Sequence, residues 1–385
     1  MKILILHNAY QMRGGEDSVV EAEVALLQRA GYDVRLERVS NDGISGSVAS
    51  AEAFMKAPYD PARARWIRDI VKRDGIALVH VHNAFPRLTP AVHIGASAGG
   101  AAVVQTLHNY RLVCANALML RDGKVCELCL DGHSWPALKH RCYRGSLPGT
   151  LAVVRMQRRM RARLWRDSVD QFVALTGFAA GKFTDSGLPA DRISVKPNFR
   201  APAPTSSASR QGFLFVGRLS PEKGVDVLLD AWRRLPDLHL TIVGDGPDAA
   251  ALRERAPGNV TFTGPLSPDD VQMHMLRAVA LVMPSVWYEG FPMTIVEAYA
   301  SGLPVIASRL GSLAEIVRHG ETGLLFEPGS AELLATALRE ADQLELARMG
   351  TTSLEEYQML YTPERNLEML LDIYGRALAR RRACP

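Results

Sequence analysis

The sequence predicts an α/β protein built from two doubly wound, parallel-sheet domains. Three observations carry this expectation. Apolar runs of about four to six residues alternate with helical patterns along the chain, the rhythm of βαβ units. That rhythm breaks once, at NFRAPAPTSSASR (198–210), a Pro-, Ala- and Ser-rich stretch of linker composition, and then restarts. The length of 385 residues suits two or three domains of roughly 100–200 residues each.

In order, Lys2–Leu6 reads as a short strand feeding a loop that contains Gly14-Gly15. Val20, Val24 and Leu27 share one face of a helix over Ser18–Arg29, with Gly31 placed to end it. Strands follow at Val34–Val39, Ala77–Val81, Ala101–Thr106, Gln171–Ala174 and Ile193–Lys196. Beyond the linker come Phe213–Val216, a helix over Gly224–Leu235, Leu238–Val243, a helix near Ala249–Arg255, and Val260–Phe262. Val279–Met283, a helix over Phe291–Ala300, Val305–Ala307 and Gly323–Phe326 complete the second series. Glu364–Arg382 is an amphipathic helix ending in three arginines. The expected domains are 1–200, with a cysteine-bearing insert near 110–145, then 201–363, then a terminal helix over 364–385.

Composition narrows the class. At 47% hydrophobic and 22% charged, the chain is an ordinary globular protein, which excludes dominant disorder and a small disulfide scaffold. Ala278–Met283, among the longest apolar runs, is far too short to cross a bilayer. Met1-Lys2 leads straight into a strand without the features of a signal peptide, so the expected location is cytoplasmic. The net charge of +4 divides unevenly, +10 over residues 1–200 and −6 over the rest. That asymmetry suggests different partners for the two halves.

Four connections in the second half stand where an open parallel sheet binds ligands, at the carboxyl ends of strands. Gly217-Arg218-Leu219-Ser220-Pro221-Glu222-Lys223-Gly224 puts a glycine and two cations between a strand and a helix, an arrangement suited to a diphosphate. Gly244-Asp245-Gly246-Pro247 is a tight turn that either approaches a nucleotide base or merely turns. Pro284–Pro292 leads into Met293-Thr294-Ile295-Val296-Glu297, with Glu289 before the helix and Glu297 about two turns along it. The backbone amides over Gly290–Thr294, a stretch that includes Phe291 and Pro292, form an anion site, and carboxylates accept hydrogen bonds from vicinal sugar hydroxyls. Ser301–Ser308 with Gly311, Gly320 and Gly323 reads mainly as architecture.

These motifs, GRLSPEKG, GDGP and PSVWYEGFPMTIVEAYASGLPVIAS, resemble those of retaining glycosyltransferase family 4, of the GT-B fold. The resemblance covers essentially the whole chain and is most specific in its second half. It implies two Rossmann-like domains facing each other across a cleft, with the last helix packing back on the first. It implies that Arg218 and Lys223 hold the donor diphosphate, that Glu297 takes the ribose hydroxyls and Glu289 the donor sugar. It further implies transfer of a hexose from a GDP- or UDP-linked donor to a glycan or lipid-linked acceptor, with retention. No Asp-x-Asp occurs, in keeping with a mechanism that requires neither metal nor cofactor. In the first half, Gly14 and Gly15 match the family's glycine pair near the phosphates, with Gln11–Asp17 lining the acceptor side. His108, after a strand, matches a histidine that contacts the donor sugar; His82 is a weaker candidate.

Two features of the first half depart from the commonest pattern. Cys114, Cys126, Cys129 and Cys142 could close a tetrahedral zinc site, or remain reduced thiols without metal. The segment 155–166 holds six arginines and no acid, with Met156, Met160 and Leu164 on one face and Trp165 beside them. With Arg63, Arg65, Trp66, Arg68, Lys72 and Arg73, it could meet an anionic membrane, or form a solvated face whose apolar stripe packs inward. Competing readings are a non-catalytic nucleotide-sugar-binding subunit and another enzyme of related fold, such as a glycan phosphorylase. A nicotinamide dehydrogenase lacks its G-x-G-x-x-G, and a nucleic-acid binder would leave the acidic, motif-bearing half unexplained.

Overall fold

A computed structural model of the chain describes residues 1–9, 14–41, 52–161, 167–204 and 209–383. It divides into two compact units, one of Met1–Met119, Glu127–Pro197 and Asn366–Pro385, the other of Leu120–Cys126 and Asn198–Arg365.

The first unit contains strands β1 (Lys2–Ala9), β2 (Asp33–Ser40), β3 (Leu78–Asn83) and β4 (Ala102–Leu107). A small antiparallel hairpin follows, β5 (Leu120–Arg121) and β6 (Lys124–Val125), which groups with the second unit. β7 (Gln171–Ala174) and β8 (Ile193–Val195) complete the first sheet, whose order is β2-β1-β3-β4-β7-β8 with every neighbouring pair parallel. The order reverses between β1 and β3, so the switch point of this sheet lies at their carboxyl ends. Ile3, Ile5, Leu78, Val104 and Val173 on one face bury against Val20, Val24 and Leu27 of the helix Gly15–Arg29. The same cluster takes Leu370, Ile373, Tyr374 and Ala377 from the helix Pro363–Ala383. Two of that helix's terminal arginines are fixed by ion pairs, Arg380 to Asp191 at 2.6 Å and Arg381 to Asp170 at 2.9 Å.

The second unit carries β9 (Phe213–Val216), β10 (Leu240–Val243), β11 (Val260–Gly264), β12 (Ala280–Met283), β13 (Val305–Ser308) and β14 (Gly323–Phe326). Their order, β11-β10-β9-β12-β13-β14, is again wholly parallel, and it reverses between β9 and β12. Alternate side chains of these strands enter two separate cores. Phe213, Phe215, Ile242 and Val282 face Leu228, Leu229 and Trp232, whereas Leu214, Val243, Leu281 and Met283 face Ile295, Val296 and Tyr299. Burial on both faces explains why these strands read as continuous apolar runs.

The structure bears on two alternatives that the sequence left open. Met156 and Met160 are buried, at 4% and 1% exposure, so that stripe packs inward rather than lying on a membrane; Leu164 and Trp165 lie outside the described residues. Among the described residues the cysteines are not gathered at coordinating distance. Among the described residues, the one trio of ligand-type side chains within coordinating distance is Glu23, His80 and His82. Cys129 and Cys142 instead pack against a small apolar cluster around Tyr143 and Val153, and the Cys114 thiol donates to Asn116 Oδ1 at 2.9 Å.

Candidate active site

In the second unit, the loops after β9 and β12 meet at the switch point. Val286 N–H donates to the Glu222 carbonyl at 3.0 Å. Gly224, at φ 67°, lies so close to the Pro284 carbonyl that a Cβ there would overlap it, so only glycine satisfies both demands. These contacts bring Lys223 Nζ to 2.8 Å from Glu289 Oε1, which also accepts from Ser285 Oγ at 2.7 Å. Glu289 is 4% exposed. Both donors converge on one oxygen, and among the described residues no side-chain donor reaches Oε2. Lys223 also lies 5.6 Å from the centre of the Trp287 ring. Arg218 is exposed and forms no ion pair among the described residues. The loop after β9 thus carries an unpaired guanidinium and the lysine of a lysine–glutamate pair.

Gly217 and the GDGP turn have structural tasks. Gly244, at φ 136°, leaves no room for a Cβ against the Gly217 carbonyl, and Gly246 leaves none against the Leu219 carbonyl. Leu219 N–H donates to the Asp245 carbonyl at 2.9 Å. The turn therefore buttresses the Arg218–Lys223 loop. Gly290 is half-buried, the Phe291 ring packs 6.3 Å from that of Tyr361, and Pro292 precedes the helix Met293–Ala300. No side chain caps that helix. Glu297, on its second turn, is half-buried; burial raises its carboxyl pKa, and Arg200 at 3.9 Å opposes the rise.

In the first unit, Gly14 caps the helix Gly15–Arg29 with extended backbone at φ −122°, so the conformational freedom of glycine is not what this position uses. A Cβ at Gly14 or Gly15 would meet nothing within 4 Å, which leaves open space before the loop. Gly14 N–H donates to Asp17 Oδ2 at 2.9 Å. Asp17 is buried and held in turn by His7 Nε2 at 2.9 Å and Arg38 at 3.2 Å. Gln11 lies outside the described residues.

His108 follows β4 and is half-buried. Its Nε2 lies 2.9 Å from Nδ1 of His82, on the neighbouring strand β3, and the two rings stack. Behind His82 sits a buried network that sequence reasoning missed. Glu23 Oε1 lies 3.2 Å from His82 Nε2 and 3.0 Å from His80 Nδ1, while Glu23 Oε2 meets Lys196 Nζ at 3.2 Å. Lys196 also donates to Asn366 Oδ1 at 3.2 Å, and Tyr374 OH lies 2.8 Å from His80 Nδ1. The signal was a charge at position 23 on the apolar stripe of Val20, Val24 and Leu27.

Burial drives His82, His93 and His108 toward their neutral forms. It lowers the pKa of His82 to about 4, with His80 adding to the effect, and that of the fully buried His93 to about 4. Glu23 moves the other way: burial would raise it, but Lys196 and the two histidines hold it well below its ordinary value. Unfolded histidines titrate near 6.5. Their contribution to stability is complete above that pH and is lost as pH falls through about 4, because the unfolded chain binds protons that the native rings refuse. The Tm should therefore decline as pH falls from 6.5 to 4, and a Tm constant across that window would refute neutral burial of these rings.

Known proteins share this architecture. Residues 13–198 match the glycosyl transferase 4-like domain, and residues 210–342 match glycosyl transferases group 1. The chain belongs to the group 1 glycosyltransferases and has GT-B architecture, two Rossmann-like parallel-sheet domains. Among curated relatives, a sulfoquinovosyl transferase of Arabidopsis thaliana is 35% identical over 130 residues, 33% of this chain and 25% of that protein. A GDP-mannose-dependent phosphatidylinositol monomannoside mannosyltransferase of Mycobacterium tuberculosis is 32% identical over 205 residues, 48% of this chain and 53% of that protein. The chain thus covers a quarter to about half of the length of these two. The crystal structure of Anabaena HepE in complex with UDP shares the fold at TM-score 0.71 and 18% identity, covering 97% of this chain and 100% of that one.

Proposed function

We propose that this protein is a retaining hexosyltransferase that takes its sugar from a GDP- or UDP-linked donor. The observation that carries this reading is the Lys223–Glu289 pair at the switch point of the second sheet, with unpaired Arg218 in the same loop after β9. Departure of a nucleoside diphosphate leaves negative charge, and fixed cations with helix N-terminal amides stabilise it without solvent reorganisation. Lys223 and Arg218 serve the diphosphate in this reading, together with the backbone of Gly217, Gly290, Phe291 and Pro292. Glu289, with Oε2 open, accepts from a hydroxyl of the donor sugar, and Glu297 accepts from the ribose. In the first unit, Gly14 and Gly15, with open space before them, are the candidates for phosphate, and His108, after β4, is the candidate for a sugar hydroxyl. No metal or other cofactor is needed for this route.

The acceptor is a glycan or a lipid-linked sugar of a cell-surface polysaccharide or glycolipid, met at the cytoplasmic face of a membrane. The helix Leu147–Arg159 supports a membrane contact by a face other than its buried methionines. Leu147, Leu151, Arg155 and Arg158 are exposed along one stripe, and Trp135 nearby is 70% exposed. No helix among the described residues is long and apolar enough to cross a bilayer.

A thermal-shift screen of UDP-glucose, UDP-N-acetylglucosamine and GDP-mannose tests the donor reading. One nucleotide series should raise the Tm, and Glu297→Ala should lose that shift. Proton NMR of the product should show the donor's anomeric configuration. Absence of any shift, or an inverted product, would overturn the assignment.

A further inference from the structure

We propose that Glu23 and His82 form a buried relay that fixes the tautomer of His108, so that His108 offers an unprotonated Nδ1 to a ligand hydroxyl. Glu23 and His82 are positioning residues in this scheme; neither touches the ligand. The proposal rests on the reading that His108 faces the donor sugar, and it deepens that reading by naming what His108 can recognise.

Glu23 is the inner end of the relay. Its side chain is 1% exposed, and Lys196 at 3.2 Å keeps it ionised. His82 Nε2 lies 3.2 Å from Oε1 of this carboxylate. The contact is governed by charge rather than by ideal hydrogen-bond alignment. A ring lone pair facing a carboxylate is repelled, whereas an N–H is attracted, so the single proton of neutral His82 resides on Nε2. His82 Nδ1 is then an acceptor. Its partner at 2.9 Å is Nε2 of His108, which must supply the proton. Neutral His108 has no second proton, and its Nδ1 carries a lone pair. Burial favours the neutral form of both rings.

His108 Nδ1 has no partner among the described residues. The ring lines a cavity of about 50 Å³ together with His82, Thr106, Asn109 and Arg111, at the carboxyl ends of β3 and β4. An acceptor there takes a hydroxyl and rejects a carbonyl or carboxylate oxygen, because two lone pairs would face each other unsatisfied. The trio Glu23, His80 and His82 resembles a metal site in spacing. Lys196 already neutralises its carboxylate, so a cation added there would face an ammonium group.

The test reads the tautomer directly. In protein labelled with nitrogen-15 in its histidine rings, two-bond correlation spectra should show His108 protonated at Nε2 and bare at Nδ1. His82→Phe keeps the stacked ring but removes the acceptor, and His108 should then populate both tautomers. His82→Gln offers an amide oxygen to the same N–H and should restore the wild-type pattern. A proton on Nδ1 in the wild type, or a His108 signal unmoved in His82→Phe, would overturn the relay. These spectra require no substrate, so they stand whatever becomes of the proposed activity. Turnover of UDP-glucose and GDP-mannose is the second arm. With folding checked by circular dichroism, His82→Phe should lower kcat/KM by about tenfold and His82→Gln should recover it. The expected spectra with undiminished turnover in His82→Phe would refute the recognition of a hydroxyl by His108 while leaving the relay in place.

Discussion

Replacement of Lys223 by alanine is expected to lower kcat by about a hundred- to thousandfold, the range seen when one pre-placed donor to developing charge is removed. The fold should survive, because the lysine side chain is 22% exposed and the hydrogen bond from Ser285 to Glu289 remains. The loops after β9 and β12 keep their backbone link through Val286 and Glu222. Two measurements separate the possible causes. Single-turnover rates with a donor that stabilises the wild type report the chemical step, and melting curves report folding. A variant with full turnover would remove Lys223 from the diphosphate. A variant that melts far below the wild type would show that the pair with Glu289 is structural, contrary to its partial exposure. Lys223→Arg should recover little, because a guanidinium does not place its charge where the ammonium stood.

The largest effect on stability should come from Lys196→Met. The substitution leaves Glu23 ionised and buried without its cation, and breaking such a pair from one side costs about 3–5 kcal/mol. Asn366 also loses a donor to its side-chain oxygen, although its own amide still reaches the Pro197 carbonyl at 2.7 Å. Urea denaturation at pH 7 measures the loss. The sign of its pH dependence follows from Glu23. With Lys196 present the carboxyl is held below its ordinary value, and its contribution to stability is present above about pH 4.5. Without Lys196 burial dominates and raises that pKa, so protonation relieves the buried charge. The gap between variant and wild type should therefore narrow from pH 7 toward pH 5. A loss below about 1 kcal/mol at pH 7 would mean that Glu23 finds another partner or admits water. Glu23→Gln combined with Lys196→Met should be more stable than Lys196→Met alone, because the uncompensated charge is gone.

Much of the second unit was legible because its logic is local. Phe213–Val216 and Ala280–Met283 are short apolar runs; the loop after the first carries its glycines and cations within ten residues, and the loop after the second its glycine and glutamate. Lys223 and Glu289 could be named from such segments, since a strand's carboxyl end is where this sheet type binds ligands. The tight turn at Gly244–Pro247 was legible as a turn, but not as the prop beneath the Arg218–Lys223 loop. That role depends on Gly217 and Leu219 lying against it.

The first unit shows where local pattern stops. The alternation of strands and helices was set by residue periodicity alone, and so was the face of the helix Gly15–Arg29 that turns inward. The partner of each buried group was not. Glu23 and Lys196 are 173 residues apart in sequence, and His80 and Tyr374 are 294 apart. Strand order brings β3 beside β4, and only that adjacency places His82 against His108. Met156 and Met160 repeat at a helical spacing that suits a membrane face or a core equally well; packing within the first unit decided for the core. Periodicity tells a chain which side to bury, because it acts through neighbouring residues. Which charge meets which is decided by the sheet, because it acts between residues that are neighbours only after folding.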